Sequence, residues 1–186
     1  MSVVLRPRIA SKHFVRMTMV GAVAVAEVLE DLAPDQVGLK WPNDVQLNGQ
    51  KAAGILAETT LQEAPTAIIL GIGLNIRVDF RDTPLEGQAI SIESVIGRQV
   101  DRYTLLDKLL RRIDHWSIRA GESDLLEAWR TRISTVGRRV TARTVGDHVE
   151  EFSGEAVDLD DDGALLVRTD DGVIHRILAG EVTLSS

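Results

Sequence analysis

Lys40-Trp41-Pro42-Asn43-Asp44 and Lys51-Ala52-Ala53-Gly54-Ile55-Leu56 flank the dipeptide Asn48-Gly49. That dipeptide is the strongest short signal for a two-residue hairpin, because both central positions of its turn need positive φ. With such a turn Leu47 faces Gln50, Gln46 faces Lys51 and Asp44 faces Ala53, so Asp44, Gln46, Lys51 and Ala53 share one face. Asp44 then lies diagonal to Lys51, within reach of a long side chain. Ala53 leaves room beside the ammonium, and Gly54 lets a ligand or a neighbouring backbone come close. Pro42 lacks a donor and fixes its own φ, which presets Asn43 and Asp44. A lysine whose stem crosses small residues suits an anion, either a carboxylate or a phosphate oxygen. On spacing alone, a solvated hairpin lysine beside a turn aspartate is the competing reading.

The elements that must hold this hairpin are legible on either side of it. Ser2–Leu5 reads as a strand, and the spacing of Phe14, Met17, Val20, Ala24, Val28 and Leu32 predicts a helix over 12–32, closed by Ala33-Pro34. That helix is apolar nearly all round from Met17 to Ala26, which predicts burial against a sheet, and Gly21 would allow close approach. Strands are expected at 37–40, 45–47, 51–58 and 67–76, then a loop over 77–90 and helices over 103–119 and 122–132. The apolar stripe of the first of these helices is Leu105, Leu106, Leu109, Leu110, Ile113 and Trp116. Five short alternating strands follow from Arg138, separated by Gly146-Asp147, Asp160-Asp161-Asp162-Gly163 and Asp170-Asp171-Gly172, and predict a small β-barrel. The fold class is therefore α+β, a mixed sheet packed by helices over 1–135 and a barrel over 136–186. The aspartate run reads as a solvated hairpin turn, since adjacent carboxylates do not have the spacing of a calcium loop.

Composition narrows the function. The 186 residues include 28 acidic and 21 basic side chains, a net charge of −7, and no cysteine. An acidic chain repels phosphate on average, which argues against a general nucleic-acid binder, and no DNA partner is expected. The absence of cysteine excludes disulfides, thiolate metal sites and a cysteine nucleophile. No apolar run reaches the length of a membrane span and the start lacks a signal-peptide pattern, so a cytoplasmic protein is expected. His13, His115, His148 and His175 have no metal-ligand spacing, and Arg111-Arg112, Arg130 and Arg132 read as solvated helix faces.

Lys-Trp-Pro-Asn-Asp followed by Lys-x-x-Gly-Ile-Leu resembles the signature of biotin protein ligases, the biotin–[acetyl-CoA-carboxylase] ligase family. Gly71-Ile72-Gly73-Leu74-Asn75-Ile76 resembles that family's Gly-Ile-Gly-x-Asn strand. Gly163-Ala164-Leu165-Leu166-Val167 and Gly180-Glu181-Val182 resemble its C-terminal barrel. The resemblance implies a two-step reaction in which biotin and ATP give biotinyl-5′-adenylate, and a lysine of a biotin carboxyl carrier protein then takes the biotin. It places Lys51 and Asp44 as catalytic, and Lys51, Gly54, Ile55, Asn43 and Asn75 in contact with biotin or the nucleotide. It implies magnesium with ATP, although no carboxylate set announces its ligands. Glu181 is a further candidate for the nucleotide side, whereas Trp41 reads as packing beneath the hairpin.

Full-length members carry a Gly-Arg-Gly-Arg loop upstream of the strand matching Ser2–Pro7, and no such loop occurs in these residues. The expectation is therefore an N-terminally truncated catalytic domain, with reduced activity for the chain alone, since lost positioning charges commonly cost about 10² or more each in rate. The protein partner expected besides the carrier is a second copy of the chain, or a partner chain that supplies the missing part. The alternative is a non-catalytic fragment or interaction module that uses the strand edge at Ser2–Leu5. The related lipoate-transferring class is disfavoured by the Lys-Trp-Pro-Asn-Asp words.

Overall fold

A computed structural model describes residues 1–7, 9, 11–59, 67–145 and 149–184. The Gly146-Asp147 turn and His148 lie outside the described residues.

Helix α1 (Met17–Glu30), preceded by a 3₁₀ segment over Ser11–Arg16, is the centre of the molecule. Every residue from Met19 to Ala26 is buried, because one side of the helix meets a sheet and the other meets two further helices. The sheet has the order β1-β5-β4-β3-β2, formed by β1 (Ser2–Leu5), β2 (Val37–Lys40), β3 (Asp44–Leu47), β4 (Gln50–Thr59) and β5 (Ile68–Leu74). Its inner face carries Leu39, Val45, Ala53, Ile55, Leu70 and Ile72, all buried. Gly21 brings α1 down onto this face, for a Cβ there would stand 2.8 Å from Ile55 Cγ2 and 3.1 Å from Leu70 Cδ1. The close approach expected of that glycine is what the fold uses.

All ladders of this sheet run antiparallel, and parallel pairing is confined to the isolated bridges Leu39–Ile133 and Lys51–Ala89. The segment over 77–90, expected to be a loop, is a series of turns, and the short α2 (Ile92–Ile96) after it was not anticipated. Helix α3 (Arg102–Ser117) starts on an Asp101 cap whose carboxylate accepts from the main-chain N–H groups of Tyr103 and Thr104. It buries Leu105, Leu109, Ile113 and Trp116. Leu106 and Leu110, counted in its stripe from the sequence, are exposed, because among the described residues it packs broadly against α1 alone, which covers a narrower strip. Helix α4 (Ser123–Arg130) buries Leu125, Leu126 and Trp129.

The last five strands, β6 (Arg139–Thr144), β7 (Glu151–Leu159), β8 (Leu165–Thr169), β9 (Ile174–Ile177) and β10 (Gly180–Leu184), form a second antiparallel sheet, β10-β6-β7-β8-β9. A barrel was expected here; among the described residues no ladder joins β9 to β10 to close one.

Two readings of charged residues need correction. The Asp160–Gly163 turn joins two paired strands and keeps the Asp161 and Asp162 side chains in solvent, as expected, but its main chain is docked against the first half of the chain, where Arg16 and Trp41 both donate to its carbonyls. Arg130 and Arg132 also brace tertiary structure. Arg132 makes a two-pronged pair with Glu30 at 2.8 and 2.9 Å, and Arg130 donates to Leu159 O at 2.5 Å.

Candidate functional site

The hairpin forms as the turn chemistry requires, with Asn48 at φ 51° and Gly49 at φ 77°. Leu47 faces Gln50 and Gln46 faces Lys51, as expected. A bulge at Val45/Gln46 then shifts the ladder by one, so Asp44 faces Gly54 and Val45 faces Ala53. Ala53 is consequently a core residue, and Gly54 is the small residue beneath the ammonium. A Cβ on Gly54 would lie 3.2 Å from Lys51 Cε and 3.3 Å from Nζ.

Lys51 Nζ stands 2.5 Å from Asp44 Oδ1, with the two side chains 48% and 18% exposed. Asp44 Oδ1 is buried and faces the ammonium directly. A pair this exposed contributes about 0–1 kcal/mol to stability, too little to explain its placement. What it does leave is a half-exposed ammonium, held by Asp44 on its inner side and open to an anion on the other.

Beyond the pair the outer face of the sheet is floored by glycine. Gly54 faces Gly73 and Leu56 faces Gly71 in the β4–β5 ladder. The nearest atom to a Cβ on Gly73 is 4.0 Å away, so neither packing nor a positive φ demands glycine there. Leu56, 57% exposed, and Val4 of β1 stand up from this floor. The result is a shallow apolar trough with an ion pair at one end, suited to a small ligand of apolar body and anionic tail. The alternation that buries Ile68, Leu70 and Ile72 turns Gly71 and Gly73 outward. Their role, like that of Leu56, was therefore available in the sequence and was missed.

The remaining candidates hold the trough in shape. Asn43 bonds Ile55 twice, Nδ2 donating to Ile55 O at 2.8 Å and Asn43 O accepting from Ile55 N–H at 3.0 Å. Asn75 Nδ2 donates to Lys51 O at 3.1 Å, and its main-chain N–H donates to Ala52 O. Lys51 is also strapped by the turns over 77–90, its N–H donating to Gln88 O and its O accepting from Ile90 N–H. Ile55 differs from expectation: its side chain is buried against Gly21 and both main-chain groups are taken by Asn43, so Leu56 is the apolar residue that β4 presents to the trough. Glu181 pairs across from Arg143 in the second sheet and lines a separate cavity with Val145 and Val149. Two cavities lie near the trough residues, and neither is lined by Lys51 or Asp44. One of about 640 Å³ is bordered by Asn43 and Leu56, and one of about 670 Å³ lies against Arg77–Ser94.

Among the described residues no group of three His, Asp or Glu side chains gathers as a metal site, and Asp44 is already paired with Lys51. These residues do not amount to a protein cage for magnesium.

Residues 1–75 match the Biotin/lipoate A/B protein ligase family and residues 135–185 the Biotin protein ligase C terminal domain. The chain is 32% identical to the bifunctional ligase/repressor BirA of Bacillus subtilis over 99% of its own length and 57% of that protein's. It is 32% identical to a biotin–[acetyl-CoA-carboxylase] ligase of Paracoccus denitrificans over 90% of its own length and 72% of that protein's. The fold superposes on the Aquifex aeolicus biotin protein ligase in complex with biotin and ATP with a TM-score of 0.77 and 29% identity, covering 99% of this chain and 76% of that one. No described helix is long and apolar enough to cross a membrane.

Proposed function

Because this chain belongs to the biotin protein ligase family, we propose that its glycine-floored trough is where biotin meets ATP, and that it serves biotin–[acetyl-CoA-carboxylase] ligation. The observation that carries the proposal is the Lys51 ammonium held over Gly54 at the trough's end, with Asp44 beside it. A carboxylate oxygen of biotin attacks the α-phosphorus of ATP, the bond to the bridging oxygen breaks, and pyrophosphate leaves. The neutral amine of a carrier-protein lysine then attacks the acyl carbon, AMP leaves and the nitrogen loses a proton.

Negative charge gathers on oxygen in both steps, so a cation fixed at the carboxylate–phosphate junction favours the transition state over the ground state. Lys51 is that cation. Asp44, with Oδ1 against Lys51, is the carboxylate that can orient Lys51 or the incoming amine. Asn43 and Asn75, each with an N–H spent on β4, offer their amide oxygens to the nucleotide. Gly54 admits the ligand close to the backbone, Ile55 contributes the wall of the adjoining cavity, and magnesium arrives with the triphosphate as part of the substrate. Residues 1–135 would form the catalytic unit and 136–186 an accessory sheet, with a biotin carboxyl carrier domain as the protein partner and the ATP-supplied cytoplasm as the setting.

The test is calorimetric binding of biotin and of biotinyl-5′-adenylate, with mass-spectrometric detection of adenylate from biotin and magnesium-ATP, for the wild type and Lys51→Ala. A lost charge-assisted hydrogen bond is worth about 1.5–3 kcal/mol, so the variant should bind about 10- to 100-fold more weakly while its fold survives. Equal affinity in wild type and variant would remove Lys51 from the site. No binding by the wild type would overturn the proposal.

A further inference from the structure

Asp162 and Gly163, at the end of the aspartate run, border the same cavity as Asn43 and Leu56, and three donors from three separate elements converge on the carbonyls of the segment Leu159–Gly163. Arg16, at the end of the 3₁₀ segment, donates from NH2 to Asp161 O at 2.8 Å. Trp41, between β2 and β3, donates from its indole N–H to Gly163 O at 2.9 Å. Arg130, at the end of α4, donates to Leu159 O. The acceptors are carbonyls of alternate residues, and the turn is built to present them. Asp160 Oδ1 accepts from the N–H groups of Asp162 and Ala164, which winds the turn tight, while Arg176 pairs with Asp160 and Asp162 from the other side.

The fit is close. Gly163 sits at φ 83°, a conformation side chains disfavour, and a Cβ there would fall 2.0 Å from Met19 Cε. Arg16 is 8% exposed and has no carboxylate within ion-pair distance among the described residues. Its other guanidinium nitrogen reaches only the carbonyls of Ala120 and Glu122, at 3.5 and 3.3 Å. A buried guanidinium is costly unless its donors are used, so the turn's carbonyl is part of what keeps this arginine in place.

The consequence for the site runs through Trp41. This residue is 2% exposed and has two polar tethers: its main-chain N–H donates to Thr135 Oγ1 at 3.0 Å, and its indole N–H to Gly163 O. Both tethers come from beyond residue 134. The next two residues are Pro42 and then Asn43, which locks Ile55 and leads into Asp44. We infer that the Asp160–Gly163 turn is a positioning element for the site. Keyed by Trp41, it fixes the 41–43 turn and with it the placement of Asn43 and Asp44. Trp41 is thus a positioning residue that links the second sheet to the trough.

The catalytic half of the test rests on the proposed function, and the structural half does not. Trp41→Phe keeps the ring and deletes one N–H. In native-state hydrogen exchange the Ile55 amide, bonded to Asn43 O, should exchange about fivefold faster or more, because one lost hydrogen bond is worth about 1 kcal/mol or more when its partner stays buried. The Lys51 amide, bonded to Gln88, and the Ile72 amide, bonded to Met1, should keep their rates. In adenylate formation the turnover number should fall about tenfold with less than a twofold change in the KM for biotin, and the pair Trp41→Phe with Gly163→Ala should be no slower than the worse single variant.

Equal acceleration of all three amides, or an unchanged Ile55 amide, would overturn the inference, since either leaves Trp41 only a packing role. Should Trp41→Phe not fold, Thr135→Val removes the other tether and carries the same readouts. If the wild type binds no biotin or nucleotide, the proposed function fails while the exchange experiment still decides whether the turn positions Asn43.

Discussion

Glycine has two different uses in this molecule, and one substitution separates them. A Cβ at Gly54 would meet the far end of the Lys51 side chain at 3.2–3.3 Å, and that chain can swing away. The fold should therefore tolerate Gly54→Ala, with Tm moving by about 2 °C or less, but the ammonium would be pushed off Asp44. Binding of biotinyl-5′-adenylate should weaken about tenfold, the size expected for a misplaced charged contact. A Cβ at Gly21 would instead meet Ile55 and Leu70, both buried, at 2.8 and 3.1 Å. Overpacking of that kind costs about 1–3 kcal/mol, against about 1 kcal/mol gained in helix propensity. Gly21→Ala should lower Tm by a few degrees and leave affinity per folded molecule alone. Thermal melts and calorimetry on the two variants check both outcomes, and a Gly54→Ala protein that binds like the wild type would exclude crowding at Lys51 as a control on the site.

At the level of elements, α3 shows how a local signal becomes tertiary support. Its first turn is closed by the Asp101 carboxylate, and its buried Leu105, Leu109, Ile113 and Trp116 press α1 onto the sheet. Asp101→Ala should cost about 1 kcal/mol, or roughly 2–4 °C in Tm for a chain of this size, without changing ligand affinity. A loss of affinity would mean that α3 reaches the trough by a route not evident in its contacts. The Asp101 cap, though equally local, was not picked out, whereas the Asn48-Gly49 turn was legible because the residues that fix it are neighbours in sequence. The same holds for the five strands after Val136-Gly137, each bounded by its own turn residues. The bulge at Val45/Gln46 was not legible: it is one backbone step with no residue signature, yet it moves Asp44 from Ala53 to Gly54. The docking of the aspartate turn was hidden for another reason, since Arg16 and Trp41 lie 145 and 122 residues from their acceptors. The ion pair of the site was readable because hairpin register alone brings Asp44 near Lys51, and the bulge altered its floor without breaking it.

Over the whole molecule, the response to acid follows from which carboxylates bind fewer protons folded than unfolded. Glu93 is held down to about 2, first by the side-chain hydrogen bonds from Arg77 and then by the N–H of Val100. Asp79 is likewise held at about 2 by Arg81. Asp107 is lowered by Arg111, Asp170 by Arg139, and Asp171 by the Thr169 hydroxyl and the Val173 N–H. A folded pKa below the unfolded value makes the stabilisation fully present above the ordinary carboxylate range, from where it drains away as pH falls toward about 2. Tm should therefore be nearly level down to about pH 5 and decline steeply below about 4.5. These groups do not weigh equally. Asp79–Arg81 and Asp107–Arg111 join residues two and four apart in the chain, which the backbone already keeps together. Glu93 joins Arg77, at the exit from the sheet, to α2 and to Val100 at the approach to α3, and so ties the turns that strap Lys51 to the helical layer. Glu93→Gln should lower Tm at pH 7 and flatten its decline between pH 4.5 and 2 more than Asp79→Asn does. Circular-dichroism melts across that range decide it. Parallel declines in wild type and Glu93→Gln would place the acid sensitivity in the second sheet, where Asp170 and Asp171 would then be the groups that matter.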